Sequence, residues 1–213
     1  MTGSLLQSRR IAERFFRNAR TSHDWEHTLR VARLCERIGP AEGADMEVLM
    51  TAAYLHDIGR RTEDEQAGRV CHAREGARMA AELLVELPLG EERKQNVIHC
   101  IRTHRFRGET VPETVEAKVL FDADKLDAIG AVGIARAYMY AGEIGARLYN
   151  ADGDIEGTAP YSRDDTGYRE YMVKLRKIKD RMLTATGRQM AEGRHLFMKR
   201  FFEQLAAEHE REC

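Results

Sequence analysis

Apolar residues recur at spacings of three and four along most of the chain, a period that predicts one helix after another and hardly a convincing strand. Residues 5 to 19 set Leu5, Ile11 and Phe15 on one side with arginines between them, an amphipathic helix broken by Thr21 and Ser22. In HDWEHTLRVARLCERI, His27, Val31, Leu34 and Ile38 share a stripe, so a histidine takes a core position. Gly39, Pro40 and Gly43 predict a turn and Asp45 an N-cap; the next helix carries Leu49, Ala53 and His56 inward, with Asp57 adjacent. RRTEDEQAGRV is too polar to pack and predicts a loop. Two further helices align His72, Gly76, Ala80, Leu83 and Leu87, ended by Pro88, and then Val97, Ile101 and His104, with His99 toward water. Pro112 opens a long helix at its first turn, with Ala117, Leu120, Asp124 and Ala128 on one stripe and a bend near Gly130 and Gly133. Residues 150–167, rich in Gly and Asp and without a period, predict a mobile loop. Two helices close the chain, one with Tyr168, Tyr171, Leu175, Ile178 and Met182 in register, the other from about 187 to 210 with Phe197, Phe201 and Leu205.

A chain of 213 residues can bury one good-sized core, and it reads as a single helical domain over 1–213. The core spans about 20–145, the loop about 150–167, and the helices of about 168–210 pack on the core. Lys+Arg 34 against Asp+Glu 35 leaves a net charge of -1, so no global basic field calls for nucleic acid, and no stable nucleic-acid binding is expected. Cys35, Cys71, Cys100 and Cys213 are far apart with no CxxC spacing, behind a start, MTGSLLQSRR, that lacks an apolar core. They read as reduced thiols of a cytoplasmic protein. No run approaches the ~18 apolar residues of a membrane helix, so no membrane partner is expected.

Four polar groups on inward stripes alter this picture: His27, His56, Asp57 and Asp124. A buried imidazole needs a partner, and a carboxylate on an apolar stripe must be paired or bound to a cation. One divalent ion would serve all four at once. Two imidazoles with two carboxylates suit Mn²⁺, Fe²⁺, Co²⁺, Ni²⁺ or Zn²⁺, and are softer than the set Mg²⁺ normally takes.

The order H…HD…D, carried by DWEHTLRV, AAYLHDIG and DADKLDAIG and continued through HAREGAR, IRTHRFRG and the two C-terminal helices, resembles the HD-domain superfamily of metal-dependent phosphohydrolases, in its small stand-alone bacterial and archaeal branch. The resemblance implies a compact all-α fold of many helices with a metal site between core helices. It implies one divalent ion per chain (Mn, Ni, Co, Fe, Zn or Mg) held by His27, His56, Asp57 and Asp124. The expected reaction is hydrolysis of a phosphate ester or anhydride of a small phosphorylated molecule, a nucleotide above all, by attack of a water whose pKa the metal lowers from ~15.7 toward about 7. Asp57 would take the proton, His72 and His104 would touch the phosphate or protonate the leaving group, and Lys125 would contact the phosphate. Arg60, Arg61, Arg102 and Arg105 are further phosphate candidates, and Asp127 would support Asp124. IRTHRFRGETVP lacks the paired histidines and the GYP tripeptide of cyclic-dinucleotide enzymes of this superfamily. Two alternatives share the fold: a diiron oxygenase using His72 and His104 for a second iron, and a non-catalytic nucleotide sensor.

Overall fold

The three-and-four periodicity is realised as ten α-helices and one 3-10 helix, with no strand among the described residues. The computed structural model describes residues 3–16, 25–66, 68–105, 110–150 and 155–210. The fold is all-α, and the chain packs as two compact units, Met1–Asp124 and Lys125–Cys213.

The first unit is built around α3 (Met46–Leu55), whose residues 48–55 are all buried. VLMTAAYL is apolar on every side of the helix, so it can only lie in the middle of a core. The helices α1 (Gly3–Phe15), α2 (Trp25–Glu42) and α6 (Glu91–Thr103) pack against it, and α5 (His72–Leu84) packs on α6. Asp45 caps α3 as expected, accepting from the amides of Glu47 at 3.0 Å and Val48 at 3.3 Å. The turn expected at 39–43 starts later. Helix α2 runs through an exposed Pro40 to Glu42, and Gly43 just beyond it, with a φ of 74°, lets Ala44 N donate to Gly39 O at 3.0 Å. Gly39 serves close packing instead, since a Cβ there would lie 2.5 Å from Leu49 Cδ2. On α1 the buried face is Ser4, Ser8 and Ala12, with Leu5, Ile11 and Phe15 only half buried beside it.

RRTEDE is a helix, α4 (Arg60–Glu65), where the sequence predicted a loop. It has no apolar stripe, and side-chain pairing holds it instead: Arg61 bonds Glu65 at 2.7 Å and Arg60 bonds Glu63 at 2.9 Å. The helix expected from Pro112 starts three residues later as α7 (Val115–Asp127), with Thr114 Oγ1 accepting from Ala117 N at 3.2 Å. The bend expected near Gly130 is a break between α7 and α8 (Gly130–Glu143), with Gly130 at φ 79°.

In the second unit the helix expected over Tyr168–Met182 divides at Lys174 into α9 (Gly167–Val173) and a 3-10 helix (Leu175–Arg181). Tyr171, Leu175, Ile178 and Met182 are buried as expected. In α10 (Ala185–Glu210) the buried set is Ala191, Met198 and Phe202 rather than Phe197, Phe201 and Leu205. Phe202 stacks on Tyr171 at 4.3 Å between ring centres, leaving Phe197 exposed. Of the loop expected over 150–167, residues 151–154 lie outside the described set. The rest forms turns tied to α9 by Arg169, which donates to Asp165 at 2.8 Å and to Thr158 O at 2.8 Å. Among the described residues no helix is long and apolar enough to cross a membrane.

The turn after α3 lies directly on α5. A Cβ on Gly59 would sit 2.4 Å from His72 O and 2.5 Å from Gly76 N, both backbone atoms with no room to yield. A Cβ on Gly76 would meet nothing closer than 3.4 Å. Gly59→Ala should therefore cost about 1–3 kcal/mol or more through overpacking, whereas Gly76→Ala, in a helix interior, should be neutral or gain up to ~1 kcal/mol. Thermal unfolding of the two variants beside the parent measures the contrast.

Candidate metal centre

Helix ends bring the site together. His56 and His104 are the C-terminal caps of α3 and α6, His72 is the first residue of α5, and Asp57 lies in the turn leading from α3 to α4. His27 comes from the first turn of α2 and Asp124 from α7. All six belong to the first unit, and all but Asp124 are buried.

Their donor atoms form two groups. In one, His27, His56 and Asp124 each offer a ligand atom within 4.8 Å of the others; in the second, Asp57, His72 and His104 do the same. Asp57 joins them. Its Oδ2 lies 3.7 Å from His27 Nε2 and 3.8 Å from His56 Nε2, and its Oδ1 lies 3.6 Å from His72 Nε2 and 3.5 Å from His104 Nε2. Asp124 Oδ1 is 3.3 Å from His27 Nε2. Two donors each ~2.0–2.3 Å from one ion are at most about 4.6 Å apart, so all these separations suit shared coordination. The four residues expected around one ion thus lie close together, and the structure adds a second group that shares Asp57.

The tautomers decide what the centre can hold. His56 Nδ1 donates to Ala53 O at 2.8 Å, His104 Nδ1 to Ile101 O at 2.6 Å and His72 Nδ1 to Glu63 Oε2 at 2.8 Å. A carbonyl or carboxylate oxygen only accepts, so the proton of each neutral ring is on Nδ1 and Nε2 keeps a bare lone pair. Yet His72 Nε2 faces His104 Nε2 at 3.2 Å, with Asp57 Oδ1 beside both, and His56 Nε2 faces His27 Nε2 at 3.3 Å. Between His72 and His104 an acceptor therefore faces an acceptor, which in a buried site is repulsive unless a cation sits among them. Burial makes a proton a poor substitute: desolvation pushes His56 down from 6.5 to about 4 and His72 to about 2, against the pull of Asp57. Two imidazoles and carboxylate oxygens on each side are a fitting set for a first-row divalent ion.

Asp57 is ionised. Burial would raise its carboxyl, but the Arg60 guanidinium and then His56 outweigh burial and hold it well below the usual carboxylate range. Arg60 Nη2 lies 3.2 Å from Oδ1 and 3.4 Å from Oδ2, while Nη1 reaches Glu63 Oε2 at 2.9 Å. Arg105 Nη1 lies 3.4 Å from Glu63 Oε1. Arg60 and Arg105 thus border the site, whereas Arg61 is exposed and paired with Glu65 and Arg102 is exposed at the end of α6. Lys125 is buried one residue beyond Asp124, and Asp127 is paired with Arg136 at 2.9 Å. Glu63 is the residue the sequence reading missed, because its segment was assigned to a loop. Its signal was the spacing of Arg60 and Glu63, which one helical turn brings together.

The sequence profile of the HD domain matches residues 24–129. YpgQ, an uncharacterized protein of Bacillus subtilis (strain 168), is 40% identical over 190 residues, which make up 87% of this chain and 83% of YpgQ. The crystal structure of YpgQ in complex with ADP matches with a TM-score of 0.73 at 36% identity, covering 96% of this chain and 97% of that one. An HD-superfamily hydrolase from Bacillus thuringiensis matches at 0.75 and 29% identity, over 97% of this chain and 96% of the other. Ribonuclease Y of Chloroflexus aurantiacus is 34% identical over 101 residues, 47% of this chain and 18% of that protein.

The depressed imidazoles give the metal-free protein a defined acid response. As pH falls below 6.5 the unfolded chain takes up protons that the folded His56 ring refuses until about 4 and the His72 ring until about 2. Stability is therefore full above about pH 7 and falls as pH drops below 6.5, down to about 4 for His56 and about 2 for His72, by up to about 1.4 kcal/mol per pH unit for each imidazole. The depressed carboxyl of Asp57 acts lower, removing stability as pH falls through and below its unfolded value of 3.8. Melting of chelator-treated protein at pH 7.5, 6 and 5 should give a falling midpoint; a flat one contradicts neutral, buried rings.

Proposed function

The chain belongs to the HD-domain superfamily, and on that premise we propose that it is a metal-dependent phosphohydrolase of a small phosphorylated molecule, a nucleotide above all. The observation that carries this reading is the convergence of bare imidazole nitrogens and carboxylate oxygens on both sides of Asp57. The ADP bound by YpgQ supports the choice of a nucleotide.

In this reading His27, His56, Asp57 and Asp124 hold one divalent ion, and Asp57, His72 and His104 hold another, so two ions per chain replace the one expected from the sequence. Bound there, such an ion supplies a water ionisable near neutral pH and positive charge for the phosphoryl oxygens. The chain's own groups do the rest. Asp57, clamped by Arg60 and firmly ionised, orients the centre and is a weak base. Asp124, whose side chain is 17% exposed, is the carboxylate open to solvent and takes the proton-accepting role first given to Asp57. Lys125 on α7 and Arg105 beside Glu63 are assigned to the phosphate. His72, with Nδ1 committed to Glu63, serves as a ligand better than as a proton donor.

The second group also favours one other reading, a diiron oxygenase on the same fold, since it offers a second iron the ligands it needs. Oxygen uptake by iron-loaded protein separates the two. The phosphohydrolase is tested with nucleoside mono-, di- and triphosphates and pyrophosphate under Mn²⁺, Co²⁺, Ni²⁺ and Mg²⁺, scoring released phosphate and pyrophosphate. Turnover of at least one nucleotide with no oxygen consumption is expected; oxygen uptake without phosphate release would overturn it. His56→Ala should lower turnover by more than the about 100-fold that losing an outer ligand partner costs, with the helical signal in circular dichroism retained.

A further inference from the structure

Among the three histidines whose Nδ1 partner is defined, His72 is held differently. His56 and His104 both close a helix, and each donates from Nδ1 to the carbonyl three residues back, Ala53 at 2.8 Å and Ile101 at 2.6 Å. Their orientation is built into their own helix. His72 begins α5, so no turn of its own helix precedes it to offer such a carbonyl. The partner must come from elsewhere, and it is Glu63 Oε2 at 2.8 Å, from α4.

Glu63 is buried and fully engaged. Oε2 also accepts from Arg60 Nη1 at 2.9 Å, and Oε1 faces Arg105 Nη1 at 3.4 Å. Two guanidinium groups fix the carboxylate while it fixes the ring, and Arg60 reaches on to both oxygens of Asp57. The short helix α4 has no apolar stripe to justify its place in the structure. Its position on α5 brings one carboxylate to one imidazole.

We propose that Glu63 is the positioning residue of the second metal site: it sets the tautomer and direction of His72, so that this site reaches its full affinity only when Glu63 is in place. The inference rests on the two-ion reading above. A carboxylate hydrogen-bonded to a ligand imidazole raises the basicity of the ring and holds it in line, and removing such a partner costs about 10–100-fold in metal affinity. The effect falls on one side of Asp57, because His56 on the other side is oriented by Ala53 O of its own helix and not by Glu63.

The test is Mn²⁺ titration of the full chain, followed by calorimetry and by the electron paramagnetic resonance signal of coupled Mn²⁺ pairs. The parent should bind two Mn²⁺ and show the coupled signal. Glu63→Ala should keep one site at parental affinity, weaken the other about 10–100-fold and lose the coupling at concentrations that saturate the parent. Glu63→Gln, which retains an acceptor for His72 Nδ1 without the charge, should recover part of that loss, and it answers for an alanine variant that fails to fold. His72→Ala should reproduce Glu63→Ala. A parent that binds two ions while Glu63→Ala and Glu63→Gln bind both with unchanged affinity overturns the role of Glu63 alone; a parent that binds only one overturns the two-ion reading and the role of Glu63 with it. A parent that binds no Mn²⁺, Co²⁺ or Ni²⁺ overturns the metal centre itself.

Discussion

Mutual repulsion of unprotonated acceptors is the constraint on which the centre turns. Five of the six converging side chains come from helix ends or the turn between helices; His56, His72 and His104 have their ring hydrogen turned outward, and ionised Asp57 has none to give. Such an arrangement is unfavourable in a bare protein interior and becomes favourable around positive charge. The surrounding core has to hold it. Residues 48–55, buried on every side, and the close seat of Gly59 on the backbone of α5 keep the turn that bears Asp57 from relaxing outward.

Helix ends suit this task for a geometric reason. A residue in mid-helix aims one side chain at a given direction per turn, whereas a cap followed by a turn can aim neighbours at the same point. His56 and Asp57, which would diverge by about 100° on a continuous helix, converge because α3 stops at Leu55. His104 repeats the arrangement at the end of α6, with the same bond to the carbonyl three residues back. His72, at the opposite kind of end, needs an outside partner, and the structure supplies a six-residue helix for it.

Much of this was legible from the order of residues. The stripes of α2, α3 and α6 carried His27, His56 and His104 inward because apolar neighbours at spacings of three and four left no other face for them. Asp124 stood out by its place on the stripe of Ala117, Leu120 and Ala128, and it lies beside His27. What stayed hidden has physical causes. Helix α4 is held by charge pairs and not by burial, so a reading based on periodicity assigns it to a loop. The doublets Phe197–Met198 and Phe201–Phe202 present apolar residues to both registers of α10, and only the stack on Tyr171 selects one. That Asp57 divides its oxygens between two groups depends on a turn conformation, which no spacing encodes.

The charge inventory around Asp57 has one more consequence. Three carboxylates (Asp57, Asp124, Glu63) stand against two guanidinium groups (Arg60, Arg105), so these five groups together carry about one negative unit. Two divalent ions would turn that into about three positive units in a poorly hydrated pocket. A centre so charged retains anions strongly, whether they are spent products or buffer ions. On the phosphohydrolase reading proposed above, escape of the liberated anion, more than bond cleavage, would then be the natural bottleneck of the cycle.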